Sequence, residues 1–274
     1  MSQLVALVLI QINMIKFFRH IRKEQMEKGK TSKYFKYAFG EIILVVIGIL
    51  IALQINNWNE ANKETETEKV YIKNIIRDLN NQLKSIEIHQ KREEEYFEVS
   101  QDILENYYET NFLTLDSAFF DKGTRLTIRV TFSINDPTFT DLVSSGNIKL
   151  IKDVVKKDQI IQYYQDLERI EKIIQNNNSL LVDQNFSQVY LKHGYLAPSA
   201  FEGYKLLISE TKISNQLLSQ SNKLKDLSSS LLTKKDELEL LNAITQRHVV
   251  ANGHINFMKT LKDLTQSLIN TLEE

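Results

Sequence analysis

The feature that most constrains this chain is an apolar run near its N-terminus, in the sequence GEIILVVIGILIALQINNWNE. From Ile42 to Leu53 every residue is apolar or glycine, and apolar and aromatic residues continue on both sides. A helix over residues 37–58 would be roughly 33 Å long, which is enough to cross a bilayer. Tyr37 and Trp58 stand where aromatic belts lie, so we expect them to be interface anchors. The sequence predicts a transmembrane helix over residues 37–58.

The charges on the two sides of this span are very uneven, although the whole chain has a formal net charge of −1. Basic side chains dominate the preceding segment, with only Glu24 and Glu27 against them: Lys16, Arg19, Arg22, Lys23, Lys28, Lys30, Lys33 and Lys36. Acidic side chains follow the span, at Glu60, Glu64, Glu66 and Glu68. Because loops rich in lysine and arginine stay in the cytoplasm, the pattern predicts a basic cytoplasmic segment over residues 1–36 and an extracytoplasmic remainder.

The partners expected from this charge pattern are lipids. Next to a membrane span, the basic segment is best explained as a contact with anionic head groups. Nothing in the overall charge favours a nucleic acid, so we predict no nucleic-acid partner.

Two other interpretations of the apolar run are a cleaved signal peptide and a buried helix of a soluble protein. A cleavage site needs small residues, and the sequence ALQINNWNE offers no A-x-A pattern, so an uncleaved anchor is favoured. Residues 1–13 pose a separate question, because Leu4 to Ile10 is apolar but too short to span. Met14 begins MIKFFRHIRK, so we favour a start-site extension over residues 1–13, with a membrane-dipping segment as the alternative.

Glu41 is the one carboxylate inside the predicted span. A charged group in a bilayer is costly, so either it pairs with a group on another helix or it is hydrated at the cytoplasmic interface. Gly40 and Gly48 are eight residues apart and near one helical face, where small residues permit close helix contact. Gly40, Glu41 and Gly48 are therefore our candidate membrane-helix contact, and a homo-oligomer or a membrane-protein partner is expected.

The rest of the chain predicts an all-α fold, that is, an N-terminal transmembrane helix followed by a periplasmic helical bundle. Helix breakers are sparse, with two prolines in 274 residues, and cysteine is absent. A seam from Ile72 through Leu79, Ile86 and Glu93 to Leu104 advances by fours and threes, although its middle is polar. We therefore predict a coiled-coil-like stalk helix over residues 59–110 and an extracytoplasmic helical domain over residues 111–274.

Local signals divide that domain. Asp136 and Pro137 predict a short helix that ends at Gly146. Ser144, Ser145, Gly146 and Asn147 are interpreted as turn chemistry, with an anion-holding loop as the alternative.

Three further elements are expected in this domain. Asp153 predicts the start of the next helix, and a last helical region is expected from Ser214 to Thr271, divided at Asn252-Gly253. Residues 126–134 alternate between apolar and polar as a strand does, or as an extended cover over helices.

No known catalytic motif is found in the sequence. It has no P-loop, GxGxxG, HExxH or GxSxG pattern. His248 and His254 are six residues apart, off a common helical face, so a two-histidine metal site is not predicted. We expect no catalytic residue, no metal, no cofactor and no enzymatic activity.

Several blocks of the sequence resemble an uncharacterised family of single-pass membrane proteins from the Bacteroidota. They are MIKFFRHIRK, YAFGEIILVVIGILIALQINNWNE, DPTFTDLVSSGNIKLI and IIQYY, and they cover the span and the middle of the chain. The resemblance implies an inner-membrane protein with a helical periplasmic domain, and it implies no activity. Family members begin at the basic segment, which agrees with an extension over residues 1–13.

The function expected from these observations is that of a non-catalytic periplasmic interaction or scaffold protein, an accessory subunit of an envelope complex. The alternative is a periplasmic ligand sensor that signals through a membrane partner.

Overall fold

The computed structural model describes residues 31–201, 205–206, 209–210 and 232–274. Of residues 31–34 and 37 only the backbone is described. The expectations for the basic segment before Thr31, for the extension over residues 1–13 and for the side chain of Tyr37 therefore lie outside the described residues. The chain divides into two compact units, residues 1–67 and residues 68–274.

Helix α1 runs without a break from Thr31 to Thr110, over 80 residues. Its part that begins at Ala38 includes a stretch long and apolar enough to cross a membrane, and no other described part of the chain buries that stretch. Apolar side chains there are half exposed or more, as at Ile47 and Leu50. An apolar surface of this size is costly in water, so the segment is compatible with a membrane anchor.

In the described residues of the second unit, helices and one minimal hairpin are the regular elements. After α1 come α2 (Ser117–Thr127), α3 (Pro137–Ser144), a 3₁₀ turn (Asn147–Leu150), α4 (Val154–Asn177), a π-helical segment (Asn178–Phe186), α5 (Ser187–His193), a second 3₁₀ turn (Pro198–Phe201) and α6 (Lys234–Glu273). Strands β1 (Lys205–Leu206) and β2 (Ser209–Glu210) pair antiparallel, Lys205 opposite Glu210. The prediction of a helical fold is confirmed for the described residues.

Two apolar clusters form the core of the second unit. The first packs Ile75 and Ile86 of α1 against Leu167 of α4 and Met258 of α6. The second joins Tyr96 of α1 to α2, α5 and the first half of α6. The two clusters lie one after the other along α1 and along α6, so these two helices are common to both.

The buried seam of α1 alternates by fours and threes over its whole length in the core. Its members are Ile75, Leu79, Gln82, Ile86, His89, Glu93, Tyr96, Ser100 and Ile103. The sequence analysis placed Leu79, Ile86 and Glu93 on this seam. It also expected residues 59–110 to form a stalk, whereas the structure places α1 from Ile75 onward inside the bundle. Buried side chains of this part of α1 share one apolar cluster with side chains of α4 and α6, so it belongs to the core of the domain.

The turn and cap signals lie where the sequence predicted them, although the side chain of Asp136 makes no capping hydrogen bond. Pro137 begins α3, and Gly146 has φ +71°, the left-handed region that glycine tolerates. Asp153 caps α4 by accepting hydrogen bonds from the backbone N–H groups of Val155 and Lys156. These positions fix where α3 ends and α4 begins.

The alternating segment over residues 126–134 is not a strand in the described structure. Leu126 lies in the last turn of α2, and the chain is extended after Thr127, with Phe132 buried and Arg129 exposed. Side chains replace a partner strand, since the backbone N–H of Asn135 donates to Gln82 Oε1 at 2.7 Å. The alternation is produced by packing over helices, which is the extended cover that the sequence left open.

Helix α6 is continuous through Asn252-Gly253, so the predicted division at that dipeptide is wrong. Ile255, Met258 and Leu261 are buried on one side of this position, and Val250 and Ala251 on the other. Burial on both sides holds the helix together, because tertiary packing outweighs the weak helix propensity of asparagine and glycine. Residues 211–231, which include most of the rest of the predicted last region, lie outside the described residues.

Candidate functional site

Four ionisable side chains meet in the middle of the bundle. His89 and Glu93 are one turn apart on α1, and Arg247 and His254 are seven residues apart on α6. His89 is 2% exposed and the other three are 0% exposed. We call these four residues the buried cluster. Burying charged groups is costly unless they are paired, so each contact in the cluster has to be accounted for.

Glu93 is the centre of the buried cluster. Its Oε1 accepts a hydrogen bond from His254 Nδ1 at 3.1 Å, and its Oε2 lies 3.4 Å from Arg247 Nη1. Burial alone raises the pKa of this carboxyl group, but the hydrogen bond from His254 and the charge of Arg247 outweigh it, so the pKa is below its usual range. Glu93 is therefore an ionised carboxylate in the core.

Arg247 is held from three directions. Its Nε donates to the backbone oxygen of Leu126 at 3.2 Å, and its guanidinium lies 4.5 Å from the centre of the Tyr96 ring. The ion pair with Glu93 completes the set. Because a guanidinium stays protonated in proteins, the pair carries one positive and one negative charge.

Each ring nitrogen of His254 has a contact in the core. Its Nε2 lies 3.3 Å from Asn177 Nδ2, which is a donor, so Nε2 accepts and Nδ1 carries the hydrogen given to Glu93. Asn177 is the last residue of α4, and the π-helical segment begins directly after it. Such segments occur often at functional sites.

His89 differs from the rest of the cluster because its ring nitrogens have no hydrogen-bond partner among the described residues. Its Nε2 lies 3.7 Å from Glu93 Oε1, and its ring meets the Phe132 ring edge-on at 5.3 Å. Burial lowers the pKa of His89 to about 4; the charge of Glu93 opposes this shift and those of His254 and Arg247 add to it. A neutral imidazole with two unused nitrogens in a dry core requires an explanation.

The wall around the cluster is built from irregular segments. Asn178, the first residue of the π-helical segment, donates through Nδ2 to the backbone oxygen of Val130 at 3.4 Å. On the surface, Arg129 pairs with Asp183 at 2.8 Å. The extended cover and the π-helical segment are therefore held together above the cluster.

A second group of possible ligands lies near the surface, where His193 Nε2 is 3.0 Å from Glu239 Oε2 and 3.9 Å from Asp236 Oδ1. Lys192 Nζ is 2.7 Å from the same oxygen of Glu239. An ammonium group already neutralises that carboxylate, so the arrangement is a surface ion-pair network.

The predicted membrane-helix contact lies in the first unit. A Cβ atom added at Gly40 or Gly48 would meet nothing within 4 Å, so both positions are open to a neighbouring helix. Glu41 is partly buried, and Trp58 is 66% exposed.

The predicted turn motif uses its polar groups internally. Ser144 and Ser145 donate to the backbone oxygen of Asp141, and Asn147 Nδ2 donates to Tyr71 OH at 2.9 Å. Tyr71 in turn donates to Asp141 Oδ2 at 2.8 Å. The motif therefore fastens the start of the domain to α1, as turn chemistry predicts.

Sequence reasoning missed His89, Glu93 and Arg247 as site residues and considered His254 only with His248. His248 instead stacks on Phe97 at 4.2 Å and lies 3.1 Å from Ser100 Oγ. The available signal was the polar middle of the heptad seam, because His89 and Glu93 occupy positions that face the core. Arg247 and His254 of α6 have no such signal, because the sequence of one helix does not show which other helix it packs against.

Comparison with known proteins gives one family and no named relative. A family model described as "Family of unknown function (DUF6090)" matches residues 41–196, which include the apolar segment, His89 and Glu93. No curated protein matches the chain. No solved structure matches it either.

Proposed function

The chain belongs to this family of unknown function (DUF6090), and we propose that it is a membrane-anchored, non-catalytic interaction protein, an accessory or scaffold subunit of an envelope complex. In this proposal the anchor lies in the inner membrane with the basic segment in the cytoplasm, and the helical domain lies in the periplasm. The charge difference across the apolar segment supports this orientation.

The observation that carries the proposal is the continuity of α1. Helix α1 includes the exposed apolar segment and, from Ile75 to Leu104, side chains that are buried in the core of the domain. A folded domain whose chain continues directly into an apolar segment suits a protein that is held at a membrane.

The polar groups of the core support a non-catalytic role. Glu93, Arg247 and His254 are closed to solvent and are bonded to one another. A general acid or base must come within hydrogen-bond reach of a substrate, which these residues do not do in this conformation. The contacts among these three side chains instead suit a structural role, which is to align the helices that carry them.

The membrane segment offers a contact surface for a partner. Gly40 and Gly48 leave open space on the helix, and Glu41 is placed beside them. In the proposed complex Glu41 pairs with a cationic or hydrogen-bonding group of a second membrane helix. Glu41→Lys should then abolish co-purification of the partner, whereas Glu60→Lys, beyond the apolar run, should not. Equal co-purification by both variants would contradict a role for Glu41.

The proposal as a whole is tested by site-specific photocrosslinking in native membranes. A photoreactive residue is placed at Gly48 in the span, at exposed Ile88 on α1 and at exposed Leu238 on α6. The proposal predicts that at least one site gives a discrete adduct with the same envelope protein in repeated experiments. Adducts with lipid or with a second copy of the chain only would contradict the accessory-subunit role.

A sensor is the second candidate, favoured by one observation. His89 and Glu93 lie on the same helix as the apolar segment, and in a sensor this helix would pass a change in the buried cluster to a membrane partner. A ligand of such a sensor should raise the melting temperature of the full chain in detergent. No shift across a broad panel of metabolites, metals and pH values would count against it.

A further inference from the structure

We propose that His89, Glu93 and His254 form a binding site for one divalent transition-metal ion of the zinc class. The proposal concerns a site to which nothing in the family assignment gives a role. It stands independently of the proposed interaction function, since a structural ion can stabilise a scaffold, a sensor or a protein of another kind.

The first argument is the distance between the ligand atoms. One ligand atom from each of the three residues lies within 4.8 Å of the other two. Glu93 Oε1 is 3.1 Å from His254 Nδ1 and 3.7 Å from His89 Nε2. Ligands bound tetrahedrally at zinc distances are ~3.3 Å apart. The distance between His89 and Glu93 therefore needs to shorten by about 0.4 Å, and the two imidazoles need to approach each other by at most about 1.5 Å, to bind a common ion.

The second argument is the unused imidazole of His89. A histidine that is 2% exposed normally has a hydrogen-bond partner, and His89 has none among the described residues, although its Nε2 points toward Glu93. A neutral imidazole with a free nitrogen is the form that binds a metal ion. A metal ion would replace the missing hydrogen bond.

The third argument is the chemistry of the ligand set. Two imidazoles and one carboxylate suit zinc, iron, nickel or copper, whereas calcium and magnesium prefer oxygen ligands. The spacing of His89 and Glu93, four residues apart on a helix, places both on one face, and α6 supplies the third ligand. A small ligand such as water or hydroxide would complete the coordination.

The surroundings resemble the outer contacts of metal sites. His254 Nε2 is contacted by Asn177, and Glu93 Oε2 by Arg247, so the atoms not used for the ion are held. Metal binding at Nδ1 requires the tautomer of His254 that carries its hydrogen on Nε2. Asn177 then turns its amide so that its oxygen accepts this hydrogen, and the ring stays in place.

The positive charge of Arg247 repels a metal ion, and it therefore affects which ion and which additional ligand the site can hold. Its charge neutralises Glu93, so a divalent ion adds two positive charges to a dry core. A bound hydroxide or another small anion reduces this excess, which favours an ion that acidifies its bound water, as zinc does. The competing state is a metal-free cluster held by Arg247 and Glu93 alone.

His89 has a different role in the metal-bound and the metal-free cluster, so the His89→Leu variant distinguishes between the two. Without metal this imidazole makes no hydrogen bond, and leucine in its place should leave the melting temperature unchanged or raise it. With metal it is a ligand, and its loss should remove the ion. His248→Leu is the matched control, because His248 lies on α6 near the cluster but is not one of the three ligands.

The experiment uses the full-length chain, purified in detergent from cells grown with added Zn²⁺ or Co²⁺, so that a closed site is filled during folding. Metal content is measured per chain, and the visible absorption of Co²⁺ reports nitrogen and oxygen coordination. We expect about one ion per chain in the wild type and the His248→Leu variant, and less than a tenth of that in His89→Leu. A chelator should lower the melting temperature of the wild type and leave that of His89→Leu unchanged.

The proposal is overturned by either of two results. One is a wild-type chain that carries no stoichiometric metal after growth with Zn²⁺ and Co²⁺ while it is folded. The other is an ion content or a Co²⁺ spectrum that is the same in His89→Leu as in the wild type. If the wild type is metal-free and His89→Leu is the more stable protein, the buried cluster is an ionic network without an ion.

Discussion

Glu93 is the residue on which the core of the domain depends most. It is a fully buried carboxylate on α1, and each of its oxygens is contacted by a side chain of α6. Burying a pair of charges is itself close to neutral or unfavourable, but leaving one partner behind is strongly unfavourable. The pair therefore specifies how α1 and α6 are aligned more than it adds stability.

Glu93→Gln in the metal-free protein should lower the free energy of unfolding by about 3–5 kcal/mol, because it leaves the guanidinium of Arg247 buried without a counter-charge. The matched control on the same helix is Glu87→Gln. Glu87 makes an exposed ion pair with Lys262 at 2.9 Å, which is worth less than about 1 kcal/mol. Denaturant unfolding of the chain in chelator measures both, and equal losses would contradict the account of the cluster.

The stability of the metal-free protein should also depend on pH through His89. Burial lowers its pKa from 6.5 to about 4, so between these values the unfolded chain binds the proton and the folded chain does not. Stability is therefore greatest above pH 6.5, falls as the pH drops toward 4 and loses up to about 3 kcal/mol from this residue.

Glu93 adds a further loss below its unfolded pKa, since its folded pKa is lowered. His89→Leu should remove the part of the pH dependence between 6.5 and 4 and leave the part below. An unchanged profile in this variant, measured by denaturant unfolding at each pH, would show that His89 isn't the titrating group.

At the scale of elements, two glycines show how one residue type serves opposite roles. Gly146 has φ +71° after α3, where a side chain is strained, whereas Gly253 lies inside α6 with no atom within 4 Å of an added Cβ. The first is required by the backbone, and the second only weakens the helix that contains it.

Gly146→Ala should therefore destabilise the domain by about 1–2 kcal/mol, which is the cost of the left-handed conformation for other residues. Gly253→Ala should stabilise it by up to about 1 kcal/mol, since alanine is the better helix former. The two melting temperatures, measured under one condition, should move in opposite directions. A shift in the same direction would contradict the described geometry at one of the two sites.

The elements that the sequence predicted are those with local signals. Asp153 caps a helix and Gly146 ends a turn because each makes its contacts within a few residues. For residues 126–134 the sequence left a strand and an extended cover open, because alternation reports only which side chains are buried, and helices can bury them as a second strand does. The break expected at Asn252-Gly253 is absent because burial on both sides of it keeps α6 helical.

The candidate site was not predicted because it is a property of two helices together. Glu93 lies on the heptad seam that the sequence predicts, whereas His89 lies one position beside it. Arg247 and His254 join them only through the packing of α6 on α1. Local patterns carry no information on which helix faces which. Polar residues on an otherwise apolar seam are the signal to follow in similar chains.

At the scale of the whole molecule, the central feature is that the two parts of helix α1 lie in different environments. Its first part is exposed and apolar, and its second part is packed inside a helical domain. The proposed function follows if the first part lies in a bilayer and the domain lies outside the cytoplasm.

The measurement that tests this most directly is cysteine labelling, which is simple because the chain has no cysteine of its own. A single cysteine is introduced at Arg22, before the apolar segment, or at Lys259, which is exposed on α6. In cells with a permeabilised outer envelope and an intact inner membrane, a membrane-impermeant maleimide should label Lys259→Cys at once and Arg22→Cys only after lysis. Labelling of both only after lysis, or release of the protein from membranes by alkaline carbonate, would contradict the account.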